Sequence, residues 1–179
     1  MAFIYETYGP FPIDRDGNKF RKAALDKLWE EVKPHHPGLQ GAVGVYIVSV
    51  RASSRSRLKP WYVGKTDTQG FQRRFIQQLS HFSDILDYAK RGAPHVFLLA
   101  RLKSHRGGFR KPTSKPSGAT DKLETMMIAS CLKRNKRLVN VNKVRHEKQI
   151  VVPGYMNNKR GKLTGSAAEL NQMLKAKHK

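Results

Sequence analysis

Acidic residues are what this sequence has least of for its size. Of 179 positions, 13 are Asp or Glu against 35 Lys or Arg, a formal net charge of +22. Charge that far from zero repels itself, and a polyanionic partner is its natural complement. The deficit is uneven: no acid lies between Asp87 and Asp121, and after Glu124 only Glu147 and Glu169 remain. Cysteine is nearly missing too. Cys131 stands alone, which excludes a disulfide framework or a cysteine zinc site and points to a reducing, cytoplasmic setting with a small buried thiol. No apolar run approaches the roughly 20 residues of a membrane span, and the opening "MAFIYETYGP" is too polar for a secretory signal. No segment pairs an apolar face with a purely basic one, as a membrane-surface helix would need. Nucleic acid is therefore the expected partner, because each phosphate neutralised releases a condensed counterion.

The length suits one domain with a real core. "YGPFPIDRDGNK" reads as turn-rich, with Pro10, Pro12 and Gly17 as breakers. "FRKAALDKLWEEV" has helical spacing and stops at Pro34 and Pro37. The adjacent His35 and His36 point apart and have no partner nearby in sequence, so they read as loop-surface residues. "AVGVYIVSV", the polar "RASSRSRLKP" and "WYVGK" together give a hairpin. "FQRRFIQQLSHFSDILDYAK" reads as one helix, and "HVFLLARL" as a central strand. "KSHRGGFRKPTSKPSGAT" has no apolar period and is expected to be a mobile basic loop. A helix follows over "DKLETMMIASCLKRN", with its methionine pair read as core filler. "SAAELNQMLKAK" begins with Ser166 and Glu169 in capping-box spacing, which predicts a short terminal helix.

Tyr46 and Tyr62 fall on the two hairpin strands, Arg73 and Arg74 on the next helix, and Glu124 on the following one. Each has an ordinary reading. The tyrosines suit cross-strand packing, and Arg74 a solvated helix charge. Asp121 and Glu124 suit a capping box. Taken together they suit phosphodiester hydrolysis, which needs an activated water and neutralised phosphoryl oxygens. One carboxylate can hold Mg²⁺, which keeps several waters. An arginine fork suits phosphate, and a tyrosine with a lowered pKa can take a proton from water.

"GVY" at Gly44 to Tyr46, "YVG" at Tyr62 to Gly64, Arg74, Glu124 and an asparagine in "LVNVN" resemble the GIY-YIG nuclease family over roughly residues 42–142. The resemblance implies an α/β fold: a small three-stranded antiparallel or mixed sheet flanked by helices, with N- and C-terminal helical extensions. The divisions are 1–40 as an N-terminal extension, 41–145 as the nuclease core and 146–179 as a basic C-terminal extension, in a single compact unit. It implies a metal-dependent DNA endonuclease cutting with Mg²⁺ or Mn²⁺, and a restriction or host-defence role fits a small stand-alone nuclease. Tyr46 takes the general-base role, Tyr62 and Lys65 support it, Arg74 binds phosphate and Glu124 holds the metal. Arg74 precedes the apolar Phe75 as family arginines do, leaving Arg73 for the DNA backbone. Asn140, or Asn142 as fallback, is the supporting asparagine. Arg51, Arg55, Arg57 and Lys59 on one loop, and Lys103, Arg106, Arg110, Lys111 and Lys115 on another, would clamp a duplex, with a homodimer forming on DNA to cut both strands.

Two departures stand out. The hairpin loop is longer than the family's compact one, and Gln78 occupies the place of a family histidine, with His81 one turn further on and read as a helix-surface residue. A non-catalytic nucleic-acid-binding protein and a ribonuclease are the alternative readings.

Overall fold

A computed structural model describes residues 3–89, 91–140 and the single position 166. The chain divides into two compact units, Met1–Asn140 and Val141–Lys179, and the account below concerns the first. The expected terminal helix with its Ser166–Glu169 capping box, the fallback Asn142 and the 146–179 extension lie outside the described residues, Ser166 itself excepted.

Strand β1 (Tyr5–Pro12) and helix α1 (Lys22–Val32) precede the hairpin of β2 (Gly44–Arg51) and β3 (Lys59–Thr66). Helices α2 (Phe71–Gln77) and α3 (Leu79–Tyr88) follow, then β4 (Ala93–Ser104), the short β5 (Gly107–Phe109) and α4 (Gly118–Arg134). The strands form one five-stranded sheet in the order β1-β4-β2-β3, with β5 paired to β4. Every pairing is antiparallel.

The α/β class is as expected, but the strand count is not. The N-terminal stretch read as turns supplies β1, which pairs along β4 from Tyr5↔Arg101 to Pro12↔His95. Pro10 and Pro12 are tolerated because β1 is an edge strand, where a missing N–H need not break a ladder. The basic segment after β4, expected to be a loop, folds back as β5 before continuing irregularly to Ser117. The single expected helix over 71–90 is two helices. Gln78 leaves helical geometry at φ −102°, ψ 11°, and its N–H is shared between the carbonyls of Arg74 and Phe75, both at 3.1 Å. No glycine or proline marks this break.

Alternation along the strands sends Tyr46, Val48, Val96, Leu98 and Ala100 to one face, where they are fully or nearly fully buried. Helices α1 to α3 cover that face. Trp29 meets Phe75 at 5.6 Å between ring centroids, and Phe75 meets Phe82 at 5.3 Å. Helix α4 packs along β3 and buries Thr120, Glu124, Ile128 and Cys131. Burial raises the Cys131 thiol to about 11, as suits an inert buried cysteine. The methionine pair divides: Met126 is 63% exposed and not core filler, while Met127 is half-buried. His36 is half-buried rather than a bare surface residue, edge-on to Tyr8 at 4.9 Å. No described helix is long and apolar enough to cross a membrane.

Candidate active site

The hairpin register decides where the tyrosines go. Tyr46 stands opposite Gly64 and Val48 opposite Tyr62, so both tyrosines project from the same face. Their rings lie 6.0 Å apart at 46°. Gly64 makes room for this: a Cβ there would lie 2.3 Å from Tyr46 Cζ. Gly44 is fixed by backbone instead, since its Cβ would fall 2.0 Å from the Leu99 carbonyl oxygen. Both motif glycines thus have steric reasons.

Tyr46 is wholly buried among Phe71, Phe75 and Phe82, with Phe75 nearest at 4.9 Å between centroids. Its hydroxyl makes no hydrogen bond of ordinary geometry among the described residues, and neither does Arg74 Nε. The two groups nevertheless feel each other. Burial drives the Tyr46 phenol far above its usual 10.0 and Tyr62 adds to this, while the Arg74 guanidinium pulls the other way. Tyr62 is raised too, chiefly by burial; Tyr46 and Arg74 oppose the rise, and Glu124 contributes to it. Tyr46, Tyr62, Arg74 and Glu124 therefore share one electrostatic neighbourhood.

The protein's own groups push the tyrosines up, not down: desolvation of a phenolate in an aromatic pocket outweighs the single nearby guanidinium.

Arg74 is half-buried, borders this neighbourhood and lines a cleft of about 180 Å³ with Lys65, Thr66, Asp67, Thr68, Gln69 and Pro116. Arg73 is exposed on the other side of α2. Glu124 is 8% exposed. The capping-box alternative fails because α4 begins at Gly118, with Ser117 at the N-cap and Asp121 already inside the helix. Glu124 lies instead on the buried stripe Thr120–Glu124–Ile128, at i, i+4, i+8.

Lys65 is not free to face a phosphate unaided. Strand alternation turns it away from Tyr62 and Gly64, and its ammonium pairs with Asp121 at 2.8 Å and with Asp67 at 3.8 Å. Asp67 Oδ1 is buried without a hydrogen-bond partner. Asn140 serves the scaffold: Val63 N–H donates to its Oδ1 at 2.9 Å, and its Nδ2 donates to the Val63 carbonyl at 2.5 Å. Sequence reading left His81 on the surface. In the fold it is only half-exposed, edge-on to the Tyr62 ring at 4.7 Å, with Nδ1 3.4 Å from Asp84. The signal was its spacing, three residues after the Gln78 that holds the place of the family histidine.

The two basic loops do not meet. The segment with Lys103, Arg106, Arg110, Lys111 and Lys115 borders the cleft, tied there by Thr113 N–H to the Asp67 carbonyl at 3.1 Å. Arg51, Arg55, Arg57 and Lys59 sit at the other end of the hairpin. Between Lys59 and Lys65, β3 runs about 20 Å at ~3.3 Å per residue.

Among the described residues no three His, Cys, Asp or Glu side chains gather in one place. A metal here would rest on Glu124, with water and phosphate oxygens completing its shell, an arrangement that Mg²⁺ accepts. The buried carboxylate fits that demand. Comparison with protein-family profiles, with curated proteins and with solved structures returned no match.

Proposed function

We propose that this chain is a GIY-YIG-type, metal-dependent endonuclease acting on DNA. The observation that carries the reading is the gathering of Tyr46, Arg74 and Glu124 around Tyr62, from four separate elements, with Arg74 lining a cleft on an intensely basic protein. Glu124 would hold Mg²⁺ or Mn²⁺, whose charge neutralises phosphoryl oxygens and makes bound water more acidic. Arg74, half-buried in the cleft wall, offers a guanidinium to a phosphoryl oxygen.

The burial of Tyr46 changes its part. As a buried phenol it packs against Tyr62 and lies within electrostatic reach of Arg74; in this reading it is not the proton acceptor that the family resemblance implies. We assign that role to His81, the imidazole in contact with Tyr62 and steadied by Asp84. Lys65 is a positioning residue that ties β3 to the first turn of α4 through Asp121, and so sets the depth of Glu124. One cleft per chain cuts one strand at a time, so a nick in each strand takes two events or a homodimer on DNA. A reducing, cytoplasmic setting and a restriction or host-defence role complete the proposal.

The sealed Tyr46 hydroxyl also favours a second reading, a nucleic-acid-binding protein that keeps the fold without turnover. Plasmid nicking and RNA cleavage with Mg²⁺ or Mn²⁺ separate the two. The nuclease reading expects metal-dependent nicking, reduced about a hundredfold or more in Glu124→Gln and in Arg74→Lys. Tight binding with no cut of DNA or RNA under either metal would establish the second reading, and RNA-only cutting would make the chain a ribonuclease.

A further inference from the structure

At the end of the sheet opposite the cleft, three stretches of chain meet. Val50 pairs with Lys59 and Arg51 with Ala93, which sets the 52–58 loop beside the turn that leads into β4. The approach is close: a Cβ on Gly92 would lie 2.5 Å from the Arg51 carbonyl oxygen. The chain leaving α4 is tied to the same end. Asn135 Nδ2 donates to the Pro60 carbonyl at 2.7 Å, and the Arg137 N–H donates to Asn135 Oδ1 at 3.0 Å. Arg55, Arg57, Lys59, Arg91 and Arg137 are all exposed there. No ion pair among the described residues engages any of them.

We propose that this surface is a second nucleic-acid contact, which seats the backbone of a DNA duplex whose other part lies at the cleft. The inference rests on the nucleic-acid side of the function proposed above and not on catalysis. Cations gathered from segments far apart in sequence repel one another, and a partner with regularly spaced negative charge relieves that cost. The span of about 20 Å along β3 corresponds to about six base pairs at 3.4 Å each. A lipid surface would favour large apolar side chains among the cations. Of the large exposed apolar residues described, Phe3, Ile76 and Met126 lie on other segments, and Tyr88 alone, at the end of α3, stands near the surface, three residues before Arg91.

Fluorescence anisotropy with labelled duplexes of about 6, 12 and 24 base pairs tests this, using wild type and Arg55→Ser/Arg57→Ser/Arg137→Ser. A matching thermal melt by circular dichroism controls for folding. The triple variant is expected to bind the longest duplex about tenfold or more weakly near 0.1 M salt. Its log–log salt slope should be shallower by roughly two to three, because phosphate contacts are lost. On the shortest duplex the two proteins should bind alike. Equal salt slopes on the longest duplex, or a loss of the same size at every length, would overturn the second contact while leaving the cleft reading intact. A loss confined to phosphatidylserine vesicles would also overturn it and make a lipid surface the partner. If wild type binds no duplex of any length, the nucleic-acid reading fails as a whole.

Discussion

Tyr46 and Tyr62 meet diagonally across one hairpin, their ring centroids 6.0 Å apart, over the bare backbone of Gly64. The pair is a packing element, and in the proposed function a site element as well. Aromatic contacts of this kind contribute about 0.5–1.5 kcal/mol each beyond area burial, and Tyr46 makes four of them.

Gly64→Ala is the sharpest probe of that arrangement. The added methyl would overlap a ring that has no free volume behind it, so either β3 shifts or Tyr46 rotates out of its pocket. Overpacking of this kind costs about 1–3 kcal/mol. Urea denaturation should show that loss, and tyrosine absorbance a more polar surrounding. A variant as stable as wild type would mean that the ring and strand are looser than described.

Alkaline stability gives a second test. Burial raises Tyr46 far above 10.0 in the folded chain, while the unfolded chain ionises near the usual value. Below about pH 10 both states hold the proton, and the stabilisation is fully present. Above it the unfolded state releases its proton and the folded state keeps it, so stability falls by up to about 1.4 kcal/mol per pH unit. Urea midpoints measured from about pH 9 to 11.5 should fall more steeply for wild type than for Tyr46→Phe. Parallel lines would show that Tyr46 titrates alike in both states.

Asn140 carries a third. Its amide satisfies both the N–H and the carbonyl of Val63, and Asn140→Ala would leave those buried groups without partners. The cost should be about 1–3 kcal/mol, accompanied by faster hydrogen exchange at Val63. Nicking by the folded fraction should persist, since Asn140 touches only backbone. Loss of activity at unchanged stability would instead give it a role at the site.

Much of this was legible in the sequence wherever the signal was local. The β-branched run of β2, the Phe71–Phe75 spacing that sets Arg74 inward and Arg73 outward, and the lone acid at Glu124 each needed only a few neighbouring residues. What escaped depended on distant partners. Pro10 and Pro12 look like breakers until β1 is known to be an edge strand. The true start of α4 at Gly118 depends on Ser117, held by Arg101 Nη1 at 2.8 Å from β4. His81 reads as a surface residue until the Tyr62 ring is set beside it. The tyrosine pKa direction reversed because its main cause, desolvation, is a property of the assembled pocket and not of the motif. Arg55, Arg57 and Lys59 stood out as one basic loop, whereas Arg91 and Arg137 join them only through the fold, because they lie dozens of residues further along the chain.

The outer side of β3 has one more consequence. Val63 is clasped by Asn140, the Pro60 carbonyl accepts from Asn135, and the Trp61 carbonyl accepts from Val139 N–H. A bare strand margin invites another chain to add itself to the sheet, and this one is already filled by the protein's own backbone and amides. A second copy pairing along Pro60–Val63 would first have to displace those bonds, so a copy gathered onto DNA is expected to approach through side chains and leave the strand bearing Tyr62 unchanged.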